Sequence, residues 1–392
     1  MTFAAPGGAG FASAVSAHPV TAHATGEVVG EILERLGTHP DLAVVFVTGG
    51  HAGALEDVGR TVRTLLSPSV LLGVASSGVI GPEGDVGTGP GISLWCGLVG
   101  PVVPVLLDGR TVLNRPPFAA TAAVVLADAT SPPPAAWGRA LGPVAAAAPL
   151  GAPLALAGGT ATRRGLLVQD RVVSGSAVGA VIGPAVRVRV IASEGARPFG
   201  EPLVVTRAER DIVYELDGRP ALERLMDLVV DRMPADDVRL VNGGLRLATV
   251  ATGAADPLTD GPDGAGGLPA LVVRGADRTN GAIALDGAVP ADTLVRFQVR
   301  DPRTASEAFE RALAAADPDG PEGALLFRSE RRDPAWFGPL PADAATAADV
   351  LPGAALAGCS TDVQVGPELP GDRQARDRAT LMVFEPGGPP GL

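Results

Sequence analysis

The sequence predicts a mixed α/β (α+β) fold: two layered domains with mixed β-sheets covered by helices, built from repeated strand-helix-strand-turn units. Three observations lead there. Short continuous apolar runs bounded by Gly or Pro read as buried strands. Amphipathic stretches at helical spacing follow them. One turn also recurs: residues 73–83 read GVASSGVIGPE and residues 358–368 read GCSTDVQVGPE. Both pass through glycine and small hydroxyl residues and close on Gly-Pro-Glu at the same spacing, and such repetition marks pseudo-symmetric units that share a sheet.

The elements follow in order. Residues 28–36 (VVGEILERL) read as a short helix, and 42–49 (LAVVFVTG) as a buried strand. Leu55, Val58, Val62, Leu65 and Leu66 then recur at helical spacing until Pro68 stops the helix, and residues 70–75 form the next strand. The order returns with a strand at 123–127, a helix at 137–144 and a strand at 154–157, which leads into Gly158, Gly159 and Thr160 as a turn. A third pass starts at 324–327 and reaches 354–357 before Gly358. Pro220 suits the first turn of a helix with the stripe Leu222, Leu225, Met226, Val229 and Met233. Thr304 and Glu307 have capping-box spacing ahead of Phe309 and Leu313. The Gly/Pro/Asp-rich run 253–269 reads as an exposed mobile loop.

A chain of 392 residues suits two domains, because single cores rarely grow beyond ~250–300 residues. The division is expected near 207–211: residues 1–27 as a weakly ordered leader, 28–208 and 209–385 as the domains, and 386–392 as a tail. A net charge of −12 disfavours nucleic acid and anionic lipid as partners. Residues 86–107 carry no charge, but their repeated Gly and Pro suit buried strands and not a membrane helix. Two distant cysteines, Cys96 and Cys359, imply a reducing compartment, and the N-terminus lacks the layout of a secretory signal; a cytoplasmic location is expected.

The chemistry points to binding. Ser76, Ser77 and Gly78 leave one buried strand, and Ser360 and Thr361 leave its counterpart. Strand ends in layered α/β sheets are where small polar ligands dock. The same hydroxyls could instead satisfy only the turn's backbone. Arg197, between Gly195 and Gly200, could hold a carboxylate on a rigid loop or pair with Glu201 or Glu215. Glu215 and Asp217 could form an acid/base pair, although Asp217-Gly218 also reads as a turn that stabilises the following helix. Cys359 follows a strand, where a thiolate could be activated or the side chain could be a small buried hydrophobe. The histidines, His18, His23, His39 and His51, match no zinc motif. GVASSG is not a nucleophile elbow, and GTGPG (87–91) lacks the last glycine of a dinucleotide fingerprint. Without lysine there is no Schiff-base or Walker chemistry, and no cofactor is expected.

The order of motifs resembles the FIST family, whose members pair an N-terminal with a C-terminal FIST domain. The likeness rests on LAVVFVTGGH (42–51), LLGVASSGVIG (71–81), LALAGGTA (154–161) and above all SEGARPFGEPLVVTRAERDIVYELDGRPALERL (193–225). GALLFRSERRDPAWFG (323–338) and LAGCSTDVQVGPE (356–368) resemble the C-terminal domain. One segment departs: the family's Phe-x-Cys-x-Gly-Arg-Gly is here Phe327 to Asp333, FRSERRD, without the cysteine or the glycines. The resemblance implies a non-catalytic sensory protein in signal transduction that binds a small polar metabolite such as an amino acid and signals through a separate protein. Ligand contacts are expected from Ser76, Ser77, Gly78, Gly159, Thr160, Arg197, Cys359, Ser360 and Thr361. The alternatives are a hydrolase or transferase using Ser76, Ser77 or Cys359, and a protein-binding scaffold with a vestigial pocket, which the altered segment 328–333 motivates.

Overall fold

The computed structural model describes residues 10–87, 89–149, 153–234, 237–250, 270–367 and 376–387. It divides into two compact units, Met1–Ser193 with Leu313–Leu392, and Glu194–Ala312.

The first unit opens with β1 (Phe11–Ser16), α1 (Thr21–Arg35), β2 (Leu42–Thr48), α2 (Leu55–Leu66) and β3 (Val70–Ser76). Then come β4 (Val79–Gly81), β5 (Gly84–Asp85), β6 (Ile92–Gly97) and β7 (Val102–Leu107). A second pass runs β8 (Ala122–Ala127), α3 (Pro134–Ala145), β9 (Ala155–Thr160), β10 (Leu166–Val168), β11 (Arg171–Val173), β12 (Ala177–Ile182) and β13 (Val186–Glu194).

The second unit begins with β14 (Ala196–Glu209), β15 (Ile212–Leu216), β16 (Arg219–Pro220), α4 (Ala221–Arg232) and α5 (Val238–Gly243). It continues through β17 (Leu245–Thr249), β18 (Leu271–Asp277), β19 (Ala282–Leu285) and β20 (Leu294–Arg300) into α6 (Pro302–Ala316). The first unit then completes with β21 (Gly323–Ser329), α7 (Pro334–Phe337), α8 (Asp343–Val350), β22 (Ala355–Thr361), β23 (Val363–Val365) and β24 (Arg378–Pro386).

All three expected repeats are present as parallel pairs: β2 with β3, β8 with β9, and β21 with β22. Each pair has an antiparallel neighbour on its first strand, namely β6, β12 and β24. On the other side each pair receives a short antiparallel strand from a different repeat. β4, which follows β3, pairs with β22. β23, which follows β22, pairs with β9. β10, which follows β9, pairs with β3. The duplicated turn is therefore a strand hand-over, and three hand-overs close a ring. Gly366 and Pro367 are described, whereas Glu368 of the second Gly-Pro-Glu and the 253–269 run lie outside the described residues.

The ring explains the apolar runs. Val44 and Phe46 face a central core shared with Val124, Leu126, Phe327, Ala357 and Phe384, while Ala43, Val45 and Val47 pack under the helices with Val28, Val58 and Val62. With both faces buried, a strand loses its polar alternation. Phe46 meets Phe327 edge-on with centroids 6.1 Å apart, so side chains from two sheets interlock. Residues 86–107 supply β6 and β7, as expected. No helix among the described residues is long and apolar enough to cross a membrane.

Several expectations are corrected. Residues 11–27 are ordered, with FASAVS paired residue by residue to β6 and Phe11 packed against Trp95 and Phe384. Gly158, Gly159 and Thr160 belong to a strand and not to a turn. A Cβ on Gly158 would stand 1.8 Å from the Val125 carbonyl oxygen, so the neighbouring strand lies where any side chain would be. Thr304 is not a cap: α6 starts at Pro302, and the Asp301 carboxylate accepts the Arg303 N–H at 3.1 Å. On α4 the buried stripe is Ala221, Leu225 and Leu228, while Met226 is 54% exposed.

In the second unit the sheet runs β14-β20-β17-β18-β19-β15-β16, and β15 pairs back onto β14. The antiparallel ribbon thus closes into a barrel around Phe199, Leu247, Phe297 and Val299, which leaves few open edges. The expected division at 208/209 falls at the end of β14, whereas the compact units divide at 193/194 and again within α6.

Candidate functional site

The three parallel pairs end at matching positions, where Thr48 faces Ser76, Ala127 faces Thr160, and Ser329 faces Thr361. The hand-over turns start at these ends and lock them together. The Ser360 N–H donates to the Gly78 carbonyl at 3.0 Å, and the Asp362 N–H donates to the Thr160 carbonyl at 2.8 Å. The Ala75 N–H donates to the Gly165 carbonyl at 2.9 Å.

Most of the expected contact residues gather here, many of them holding the ring. Ser76 is buried; its Oγ donates to the Ser360 carbonyl at 2.6 Å and accepts the Gly78 N–H at 3.3 Å. Thr361 Oγ1 donates to the Arg328 carbonyl at 3.3 Å and accepts from Gln364 Nε2 at 3.0 Å. Gly159 lies where a Cβ would meet the Val363 carbonyl at 2.6 Å. The Thr160 hydroxyl is buried without a hydrogen-bond partner.

Cys359 is fully buried, and burial pushes its thiol up to about 12 despite the neighbouring Ser76 hydroxyl and the charge of Arg328. Burial likewise raises Cys96. A thiol so far from its thiolate is a poor nucleophile. We expect Ellman's reagent at neutral pH to leave both cysteines of the folded protein unmodified and to titrate both in denaturant. Rapid modification of Cys359 in the folded state would revive a thiol-based activity.

Ser77 behaves differently. Its Oγ donates to Glu330 Oε1 at 2.7 Å, and Thr162 Oγ1 donates to the same oxygen at 2.6 Å. Ser77 follows β3, Thr162 follows β9 and Glu330 follows β21, so one carboxylate joins all three repeats. Sequence reasoning missed Glu330 and Thr162. The signal was in the repeat itself: by strand register Glu330 corresponds to Asp128 and Gly49. Asp128 accepts from the Gly165 and Thr130 N–H groups at 3.0 and 2.8 Å. Over Gly49 lies the Arg163 guanidinium, 2.7 Å from where a Cβ would be.

Arg197 belongs to the second unit. It lies on β14 and not on a loop, and its Nε and Nη2 donate to Asp301 and Asp237 at 2.9 and 2.7 Å. Glu215 pairs with Arg207 at 2.9 Å, and Glu201 stands 3.6 Å from Arg224. Asp217 makes no side-chain cap of α4 but accepts from Arg224 Nη2 in its first turn at 3.1 Å. It accepts the Val204 N–H at 2.8 Å and pins the turn between β15 and β16. Among the described residues no cluster of histidine, cysteine or acidic side chains could hold a metal ion.

The FIST N domain family matches residues 41–219. Uncharacterized protein Rv0628c of Mycobacterium tuberculosis is 31% identical over 367 residues, spanning 90% of this chain and 94% of its own. The chain belongs to the FIST family. Uncharacterized protein Mb0898c of Mycobacterium bovis is 29% identical over 379 residues, spanning 89% and 92%.

Two arginines of the segment in which this FIST protein departs from the family pattern, Arg328 and Arg332, are built into its interior. Arg328 Nε and Nη2 donate to Asp85 Oδ1 at 3.1 and 2.5 Å. Arg332 and Asp343, both fully buried, form a two-pronged pair at 2.8 and 2.5 Å. Burial raises the Asp85 carboxyl above the ordinary range, outweighing the pull of Arg328. A carboxyl raised in this way favours the folded state at low pH, and that contribution is lost as pH rises through its folded-state pKa. Asp333 accepts the Trp336 N–H at 2.8 Å and caps α7.

Proposed function

We propose that this FIST protein is a non-catalytic sensory protein that binds a small polar metabolite at the junction of its three hand-over turns. The observation that carries the reading is the meeting of Ser77, Thr162 and Glu330 at the C-terminal ends of three parallel strand pairs. Strand ends of parallel α/β units collect polar side chains and backbone amides around bound ligands. The engagement of Ser76 and the burial of Cys359 weigh against acyl-transfer chemistry there.

In this reading residues 209–385 correspond to a FIST C domain, on the resemblance of 323–338 and 356–368, and the protein acts in the cytoplasm through a separate signalling partner. The test is calorimetric titration and thermal shift of the full chain against small amino acids, amines and carboxylates. A ligand at a hundredfold excess over its Kd stabilises by about 2.7 kcal/mol, which a melting curve resolves. Ser77→Ala and Thr162→Val should weaken the response together. No shift with any compound would end the proposal.

A further inference from the structure

Resting on that reading, we propose that the group recognised at Glu330 is a primary ammonium, and that the site discriminates against anions. The hydrogen-bond bookkeeping leads to this chemistry. A carboxylate only accepts hydrogen bonds, and a hydroxyl has a single hydrogen to give. Ser77 and Thr162 both spend theirs on Glu330 Oε1, at 2.7 and 2.6 Å. What these three side chains offer outward is therefore acceptors: Glu330 Oε2 and the lone pairs of two hydroxyl oxygens. A carboxylate or phosphate arriving there meets a negative charge and no donor from these three side chains. An ammonium carries three donors and the complementary charge.

The pairing of the surrounding charges points the same way. Segment 328–332 contains three arginines, and each faces a different aspartate: Arg328 with Asp85, Arg331 with Asp377 and Arg332 with Asp343. Glu330, half-buried between them, takes no ion pair among the described residues. Arg163, next to Thr162 in the chain, lies over Gly49. The fold thus matches every arginine of the segment and leaves its one carboxylate without a cation. A divalent metal is a poor occupant, since Ca²⁺ seeks about six to eight oxygen ligands and no such cluster exists among the described residues.

The experiment titrates the full chain with ethylamine, ethanolamine and 1,4-diaminobutane at neutral pH, beside tetramethylammonium, acetate, inorganic phosphate and Mg²⁺. The expected result is binding by the primary amines, with tetramethylammonium, which donates no hydrogen bond, at least about tenfold weaker. Glu330→Gln should cost about tenfold in amine affinity. If that variant melts early, Thr162→Val, at an exposed position, serves in its place with a loss of a few fold. Acetate or phosphate binding without the amines would overturn the ammonium assignment and leave metabolite binding standing. So would Mg²⁺ binding lost in Glu330→Gln, or amine binding indifferent to both substitutions. Silence from every probe would remove this inference, and silence from the wider metabolite panel as well would remove the function it rests on.

Discussion

In a chain ending at Ala312, the first unit is expected not to fold. Such a chain keeps the whole of the matched FIST N region, yet it lacks β21, β22, β23 and β24, four of the strands that close the ring. The central core loses Leu325, Phe327, Met382 and Phe384, each fully buried. At roughly 1.5–3 kcal/mol for each large side chain, their loss removes about 6–12 kcal/mol. That is comparable with the whole stability of an ordinary domain, about 5–15 kcal/mol. The cut also strips β4 and β9 of partners and leaves raw sheet edges that invite aggregation. Far-UV circular dichroism and a thermal melt decide the matter. A cooperative transition within a few degrees of the full chain would show that the ring is not needed for folding.

Asp343→Ala should be the most damaging single change at the altered segment. Its partner Arg332 has no exposed surface and stacks near Phe337, 5.7 Å from guanidinium to ring centroid, with Nη1 already lacking a hydrogen bond. Removing the carboxylate leaves a buried cation unmatched, which typically costs about 3–5 kcal/mol. In a protein of this size that corresponds to a fall in Tm of about 4–6 °C. The double variant Arg332→Met with Asp343→Leu should recover most of the loss, because the desolvation cost disappears together with the attraction. If the single variant melts within a degree of the parent, the pair is incidental.

Much of the first unit can be read from residue spacing. The runs at 42–48, 70–76 and 122–127 had to be strands buried on both faces, and 55–66 had to be a helix stopped near Pro68. These are local consequences of which side chains water rejects and at what period. β1 is not legible in the sequence because FASAVS is too small and too weakly patterned to declare itself; it is a strand because β6 lies beside it. The sequence leaves the stripe on α4 ambiguous because Met226 and Leu228 are equally apolar, and only the barrel decides which of them faces inward.

The site divides along the same line. The sequence by itself determined that a strand-end turn recurs, that small hydroxyl residues sit on it, and that lysine chemistry is absent. Only the tertiary structure decided that Ser76 is consumed by the turn, that Ser77 is not, and that Thr162 and Glu330 meet it from the other two repeats. The reason is physical. Periodicity and turn chemistry act over a few residues and leave their trace in the chain, whereas a hydroxyl's partner 253 residues away is selected by sheet pairing and closure of the ring.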